Sequence, residues 1–459
     1  MKPTFGEYLK DAVGSDNAIV AFSAFDKSAS VSVRRNPFKK GCTLQGRQVP
    51  WAAHGLLLDE RPKFTLDPAF HAGAYYVQDS SSMFVGHVVR GLLSGITAHK
   101  DAPVRVLDLC AAPGGKTTDL AASLREAFGD DFLLVANEVM SSRVGSLADN
   151  VALWGDPNVV VTSEDPRSFS SLEGYFDLIL ADVPCSGEGM FRKDMQAREQ
   201  WSEDNVALCQ ARQRRIIADM WPSLKTGGFL VYSTCTFNRY ENDLNVGWIS
   251  EEMGAEVLSD AAGEFPGVLK TERGYSLVPG LVEGEGQYCA ALRKTSDGHV
   301  WGGRPARSGR QRKDAFLSEE QALWVKGPMR MVVKGEMMTA VPDNIYEDVL
   351  MLRAALKVIS AGCAIGTCKG KIVIPYADLA LSMALDRDAF PSVNVDLKTA
   401  LSYLHRDAIL LPDAPKGYVL VCYENLPLGF VKNLGNRCNS LHPQGRRIRM
   451  DVSTIGDNI

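Results

Sequence analysis

Five apolar runs in the middle of the chain restrict its fold more than any other feature. They are VRVLDL at 104–109, FLLVANE at 132–138, NVVVTSED at 158–165, FDLILADV at 176–183 and GFLVYSTC at 228–235. Helically patterned stretches, such as DLAASLREAF after the first run, lie between them. Near-continuous apolar strands alternating with helices imply an α/β fold, a parallel sheet covered on both faces. In such sheets ligands collect at the carboxyl ends of the strands, so the residues after each run are where chemistry belongs.

The 459 residues allow roughly three domains at about 150 residues each. With 45% hydrophobic and 23% charged residues, a largely disordered chain is excluded. No window approaches the roughly 18–20 uninterrupted apolar residues of a spanning helix. The opening MKPTFGEYLKDAVG carries acids where a signal peptide has its apolar core. A soluble, cytoplasmic protein with no membrane association is expected. The net charge of −5 argues against retention on nucleic acid by bulk charge and leaves room for local basic patches. Ten cysteines are too sparse for a disulfide scaffold, so each is a packing residue or a chemical tool.

Residues 1–70 read as a small α+β unit, with β character over Ala18 to Phe25 and Ala29 to Arg34 and a turn at Asn36-Pro37. Residues 71–292 carry the α/β pattern. Residues 293–315 read as a basic linker containing Arg293, Lys294, Arg304, Arg307, Arg310, Arg312 and Lys313. An α+β region at 316–385 follows, with a helix expected from about Tyr346 to Ile359. In the final segment, 386–459, strands at 417–424 and 428–434 flank a turn expected around Asn425-Leu426-Pro427.

The first apolar run leads into Cys110-Ala111-Ala112-Pro113-Gly114-Gly115-Lys116-Thr117 and then a helix. Small residues at a strand-to-helix turn let a ligand approach the backbone, and the helix start offers free N–H groups. A nucleoside triphosphate loop would need glycine at position 110, where this chain has cysteine, so that phosphate cradle is incomplete. The second run ends in Glu138, about 20 residues beyond the glycines, where a nucleoside-binding sheet places an acid for ribose hydroxyls. The third ends in Glu164-Asp165. A single acid at a strand end is more often a helix cap. The ordered set fits a nucleoside ligand without phosphates, for which S-adenosylmethionine is the natural candidate.

The fourth run enters Asp182-Val183-Pro184-Cys185-Ser186-Gly187-Glu188-Gly189, and the fifth enters Ser233-Thr234-Cys235-Thr236-Phe237. A lone cysteine in a strand is usually packing. Two thiols just past adjacent strand ends suggest catalysis. A thiol combined with a methyl donor suits carbon 5 of cytosine: a thiolate adding at carbon 6 makes carbon 5 an enamine nucleophile. Asp182 is the leading candidate to engage the N3/N4 edge of the base. On residue chemistry alone, either Cys185 or Cys235 could attack.

The combination DLCAAPGGKTT, LADVPCSGEGMFRKD and VYSTCTFNRYEND resembles the RsmB/RsmF (Nop/Sun) family of RNA cytosine-5 methyltransferases across roughly residues 70–250. GAYYVQDSSSM at 73–83 and SVRRNPFK at 32–39 are similar to segments leading into that domain and to an N-terminal RNA-binding subdomain. LPLGFVKNLGNRCNSLHPQGRRIR at 426–449 is similar to the PUA-like tail of the RsmF branch, which methylates 16S ribosomal RNA. The resemblance implies a Rossmann-like domain binding S-adenosylmethionine through Cys110 to Lys116, with Glu138 on the ribose, Asp165 on the adenine side and Asp182 near the reacting end. It implies Cys235 as nucleophile, Cys185 as the residue assisting product release, and Lys116 as a group that can reach the cytosine. It also implies an RNA substrate, 16S rRNA or the small ribosomal subunit, and a monomeric enzyme. A transfer RNA substrate and a non-catalytic assembly factor are the alternatives.

The Cys110 sulfur is expected to be inert, and Cys42, Cys209, Cys289, Cys422 and Cys438 to be structural. Cys363 and Cys368 lack the second pair a zinc site needs. Trp201 and the helix Val206 to Met220, with Arg212, Arg214 and Arg215, are candidates for an RNA groove. Lys432, Arg437, Arg446, Arg447 and Arg449 form a basic stripe with no acid between Val431 and Met450, which points to RNA contact.

Overall fold

The computed structural model describes residues 3–97, 102–298, 323–370 and 372–452. Within them no helix is long and apolar enough to cross a membrane. The N-terminal part places helices α1 (Pro3–Val13) and α2 (Ser15–Phe25) before a small antiparallel sheet. Its strands β1 (Val31–Arg35), β2 (Arg47–Gln48), β3 (Gly55–Leu58) and β4 (Tyr75–Val77) lie in the order β2-β3-β1-β4. The β character expected over Ala18 to Phe25 is corrected to helix. Ala18, Ala21, Ala24 and Phe25 are buried at helical spacing while Ile19 and Val20 face outward, so the small residues set the period rather than the β-branched pair. β4 lies beyond residue 70, so this sheet draws its fourth strand from the segment leading into the central domain.

The central sheet contains all five apolar runs: β5 (Val104–Asp108), β6 (Phe132–Asn137), β7 (Val159–Thr162), β8 (Phe176–Asp182) and β9 (Leu224–Thr234). They are parallel, in the order β9-β8-β5-β6-β7. Beyond β9 the sheet continues antiparallel through β13 (Gln287–Lys294), β12 (Tyr275–Leu277) and β11 (Val268–Lys270), while β10 (Ala255–Val257) pairs with β13. Side chains alternate between two cores. Val104, Val106, Phe132 and Leu134 join α3 (Met83–Leu93), α4 (Gly115–Phe128) and α5 (Ser141–Trp154) on one face. Leu107, Leu133 and Val135 join α6 (Glu203–Met220), α7 (Asp243–Met253) and α8 (Tyr346–Ala355) on the other. The runs lack alternation because both faces are covered. The first strand, β5, has its sequence successors on one side and β8 on the other, so a topological switch point opens between β5 and β8.

Beyond residue 323 one antiparallel sheet joins β14 (Met329–Lys334), β15 (Met337–Pro342), β17 (Cys363–Lys369) and β18 (Ile372–Pro375). The helix expected to reach Ile359 ends at Ala355. The chain turns at Leu356, and β16 (Val358–Ala361) adds itself antiparallel to the exposed edge of β7. Closing that edge satisfies its free N–H and C=O groups, a tertiary gain that overrides helical continuation. The last sheet comprises β19 (Ser392–Asn394), β20 (Gly417–Tyr423), β21 (Leu426–Asn433) and β22 (Cys438–Ser440), with α9 (Leu397–His405) packed beside it. Its hairpin turn is Glu424-Asn425, both at positive φ, so the turn expected at 425–427 moves back and Leu426-Pro427 begin the strand. Leu401 of α9 and Val431 of this sheet share a core with Val33 and Leu56 of the N-terminal one.

Arg293 and Lys294 end β13 and do not begin a linker. Lys294 is buried, its ammonium donating to the carbonyls of Trp221 and Leu224. The remaining basic residues assigned to the linker, Arg304 to Lys313, lie outside the described residues. The C-terminal stripe is also less uniform than its sequence implies. Arg446 pairs with Asp149 and Asp378 and ties the tail to α5, whereas Lys432, Arg437, Arg447 and Arg449 are exposed.

Candidate active site

The carboxyl edge of the central sheet brings the first loop and both cysteine loops together. The loop after β5 lines a cavity of about 330 Å³ with Cys110, Ala111, Ala112, Pro113, Gly115 and Lys116, and Asp182 and Cys235 line the same cavity. Tyr76, Gln78 and Asp79 reach it from the segment around β4, and Met190, Lys193, Glu285 and Gln287 complete the wall. Gly114, at φ +112°, turns the chain into α4 in a conformation that L side chains rarely adopt. A Cβ on Gly115 would stand 3.2 Å from the Tyr76 ring.

The first turn of α4 is braced from the N-terminal sheet. Arg34, 2% exposed, donates to the Gly115 carbonyl, to the Thr118 hydroxyl and to Gln78, and stacks over the Trp154 ring. Lys39 is likewise internal, its ammonium donating to the carbonyls of Ala72 and Leu153, and burial pulls it down to about 7. These two cations of SVRRNPFK are therefore internal struts.

Asp108 is fully buried beneath the loop. One oxygen accepts from the Thr117 hydroxyl and the other has no partner. Burial, aided by the nearby Asp182, pushes its carboxyl up to about 7. Such a group stabilises the fold fully below the ordinary carboxylate range, and that contribution is lost as pH rises through about 7. Asp108→Asn removes it. Melting temperature should then fall less between about pH 5 and pH 8 than in the parent protein. Glu241, pushed up to about 7 chiefly by burial, still leaves part of the slope. An unchanged slope in differential scanning fluorimetry would contradict the Asp108 assignment.

Lys116 and Asp182 form a 2.8 Å ion pair on the cavity wall. The other Asp182 oxygen accepts from the Ser233 hydroxyl at 2.8 Å, and Ser233 in turn receives a bond from Gln287. Burial pulls the Lys116 ammonium down, but Asp182 outweighs it with Cys235 adding, so the group is held above its ordinary value and charged. The Cys185 and Cys235 sulfurs are 3.0 Å apart, at the ends of adjacent parallel strands. Cys235 lines the cavity, while Cys185 touches it only through Cys235. The contact with Cys235, then burial, pushes the Cys185 thiol well up, and either sulfur can serve as the S–H donor of the pair.

Not every expected residue joins this group. Glu138 directly follows β6; its carboxylate accepts from the Met140 N–H and faces Arg143, whose guanidinium donates to the Ala112 carbonyl of the loop. Asp165 caps a short helical turn by accepting from the Arg167 N–H. Trp201 is corrected from a groove candidate to a core residue: it is 2% exposed and donates to Glu188. The site also holds residues to which the sequence assigned nothing: Gln78, Ser233 and Gln287, and the buried acids Glu188 and Glu241. The last two stood inside the cysteine motifs, but nothing in their spacing marked them as inward-facing. Among the described residues no cluster of His, Cys, Asp and Glu could hold a metal ion.

The crevice fits S-adenosylmethionine better than a nucleoside triphosphate. The glycine-bearing loop opens onto a helix start, an unpartnered Asp108 oxygen lies beneath it, and a cysteine holds the position where a phosphate loop needs glycine. Strand order and crevice define the class, a Rossmann-like methyltransferase.

Comparisons with known proteins agree. Residues 97–293 match the model for the 16S rRNA methyltransferase RsmB/F family, residues 2–80 the N-terminal domain of 16S rRNA methyltransferase RsmF, and residues 390–448 the RsmF PUA domain. The chain is 31% identical over 416 residues to the ribosomal RNA small subunit methyltransferase F of Serratia proteamaculans, covering 86% of this chain and 84% of that one. The Escherichia coli O157:H7 protein of the same name is 31% identical over 415 residues, with the same coverage. A solved methyltransferase homolog from Pyrococcus horikoshii is 27% identical, with a TM-score of 0.53 over 64% of this chain and 95% of that one. The structure of NSun6 from the same organism, at 21% identity and TM-score 0.53 over 64% of this chain and 99% of that one, shows the shared fold. The chain belongs to the 16S rRNA methyltransferase RsmB/F family.

Proposed function

We propose that this protein methylates carbon 5 of cytosine in RNA, with 16S ribosomal RNA as substrate and S-adenosylmethionine as methyl donor. The observation that carries the reading is the pair of sulfurs 3.0 Å apart beside the Lys116–Asp182 ion pair, on the wall of the cavity at the switch point. The loop 110–116 would hold the cofactor, with Asp108 beneath it. Glu138, facing Arg143 beside the loop, would take the ribose hydroxyls, and Asp165 the adenine side.

Carbon 5 of cytosine is a poor nucleophile until carbon 6 has been attacked. Cys235 lines the cavity, so its sulfur, after losing its proton to solvent, forms the bond to carbon 6 as the thiolate, and the ring electrons shift to make carbon 5 an enamine carbon. The Lys116 ammonium supplies the positive charge a thiolate needs nearby. Asp182, held on one side by Lys116 and on the other by Ser233, accepts from the amino group at the N3/N4 edge and orients the base, while the Lys116 ammonium stabilises the negative charge left on the ring. When bound, S-adenosylmethionine supplies the electrophilic methyl group. The adduct is then resolved by the second cysteine. Cys185 gives its proton to the departing Cys235 sulfur and takes the carbon-5 proton, so the ring regains aromaticity and both thiols are restored. The base must leave its stack to reach this position.

The test is methyl transfer from labelled S-adenosylmethionine to small-subunit RNA lacking the modification, followed by nucleoside mass spectrometry and bisulfite mapping. 5-Methylcytidine in 16S rRNA is the expected product. Label in another base would overturn the chemistry, and label confined to transfer RNA would overturn the substrate.

A further inference from the structure

Two buried glutamates stand behind the sulfurs, each held by hydrogen-bond donors. Glu188 belongs to the loop of Cys185 and Glu241 to the loop of Cys235, yet each binds the other loop. Glu188 accepts from the backbone N–H groups of Phe237 and Asn238 at 2.8 and 2.9 Å, just after Cys235. Glu241 accepts from the backbone N–H of Ser186 at 3.0 Å, the residue after Cys185. The Asn238 amide links the two acids, donating to Glu188 at 3.0 Å and to Glu241 at 2.8 Å. Trp201 and Gln213 supply the remaining donors. Both carboxylates are almost fully buried, 1% and 0% exposed.

Burying two acids side by side costs desolvation, which their hydrogen-bond donors offset only in part, since burial still pushes Glu241 up to about 7. A loop needing only to be packed would be served by apolar side chains. The two loops also approach too closely to leave slack. The Gly189 N–H donates to the Cys235 carbonyl, and a Cβ on Gly189 would stand 2.9 Å from that carbonyl oxygen. Helices α1 and α2 seal the assembly from outside, Phe5 packing on Phe191 and Trp201.

We propose that Glu188 and Glu241 act as a reciprocal brace, positioning residues that hold the two sulfurs in register for addition and release. The inference rests on the two-thiol reading above. The brace needs acceptors at both oxygens, so glutamine is not a conservative replacement: its NH2 would oppose one of the donors. Neither acid lines the cofactor cavity, so the effect falls on the chemical step rather than on cofactor affinity.

Glu241→Gln should lower kcat about a hundredfold, the scale of a small misplacement of reacting atoms. S-adenosylmethionine affinity in a calorimetric titration should stay within about twofold. Asn238→Ala, which cuts the link between the acids, should lower kcat about tenfold and serves if the first variant does not fold. Asn238→Asp should fall below Asn238→Ala, because it puts a third carboxylate against the other two. Turnover within about twofold of the parent in Glu241→Gln or Asn238→Ala would overturn the brace. So would equal activity of the two Asn238 variants, or kcat and cofactor affinity falling together with melting temperature. Cys235→Ala in the same assay separates the two claims: turnover there would defeat the two-thiol reading itself, while its loss alongside a fully active Glu241→Gln would defeat only the brace.

Discussion

Cys235→Ala should abolish methyl transfer, lowering kcat to the background of the assay, while cofactor binding and melting temperature stay close to those of the parent. The reason lies in how little else in the cavity can attack carbon 6. Burial and the contact with Cys235 push the Cys185 thiol well up, and Cys185 does not line the cavity. Burial and the acids around it push the Cys110 thiol well above its ordinary range. Lys116 is a charged ammonium committed to Asp182. Without the sulfur the ring stays aromatic and carbon 5 remains unreactive, so the whole covalent contribution is lost. Removing a half-buried thiol that faces the cavity costs the fold little by comparison. Single-turnover methyl transfer with small-subunit RNA measures the effect. Retained turnover would end the covalent mechanism.

Cys185→Ala should fail differently. Addition at carbon 6 needs only Cys235, but the Cys235 sulfur leaves readily only if a proton reaches it and another leaves carbon 5. With the thiol 3.0 Å away gone, both transfers stop and the RNA stays attached. A protein–RNA band resistant to denaturing gel electrophoresis should accumulate toward one per enzyme, with turnover lowered by about two orders of magnitude or more. The double variant Cys185→Ala/Cys235→Ala should show no band. A band in the double variant would place the covalent bond on another residue.

The runs that became β5 to β9 were legible because burial on both faces left each strand nearly continuous in apolar residues, and the Cys110 to Lys116 loop was legible because glycines and a helix start mark it. Misreadings arose where tertiary contacts decide. Ala18 to Phe25 is apolar enough for a strand, yet its alanines pack at helical spacing against the loops of the active site. The segment 358–361 became a strand only because β7 offered an open edge. Basic residues misled most. Arg34, Lys39, Lys294 and Arg446 have the composition of an RNA surface, but each is taken up by carbonyls or carboxylates of distant segments. The two acids of the brace were hidden for the same reason. Nothing local distinguishes Glu188 or Glu241 from a solvated glutamate, since their partners come from the opposite loop.

The central claim is a bond between the Cys235 sulfur and carbon 6 of a cytosine, and peptide mass spectrometry of the Cys185→Ala adduct tests it most directly. After nuclease and protease digestion, the account predicts a 5-methylcytidine-bearing nucleotide attached at Cys235. A nucleotide carried on any other residue, or 5-methylcytidine formed with Cys235 never modified, would contradict it.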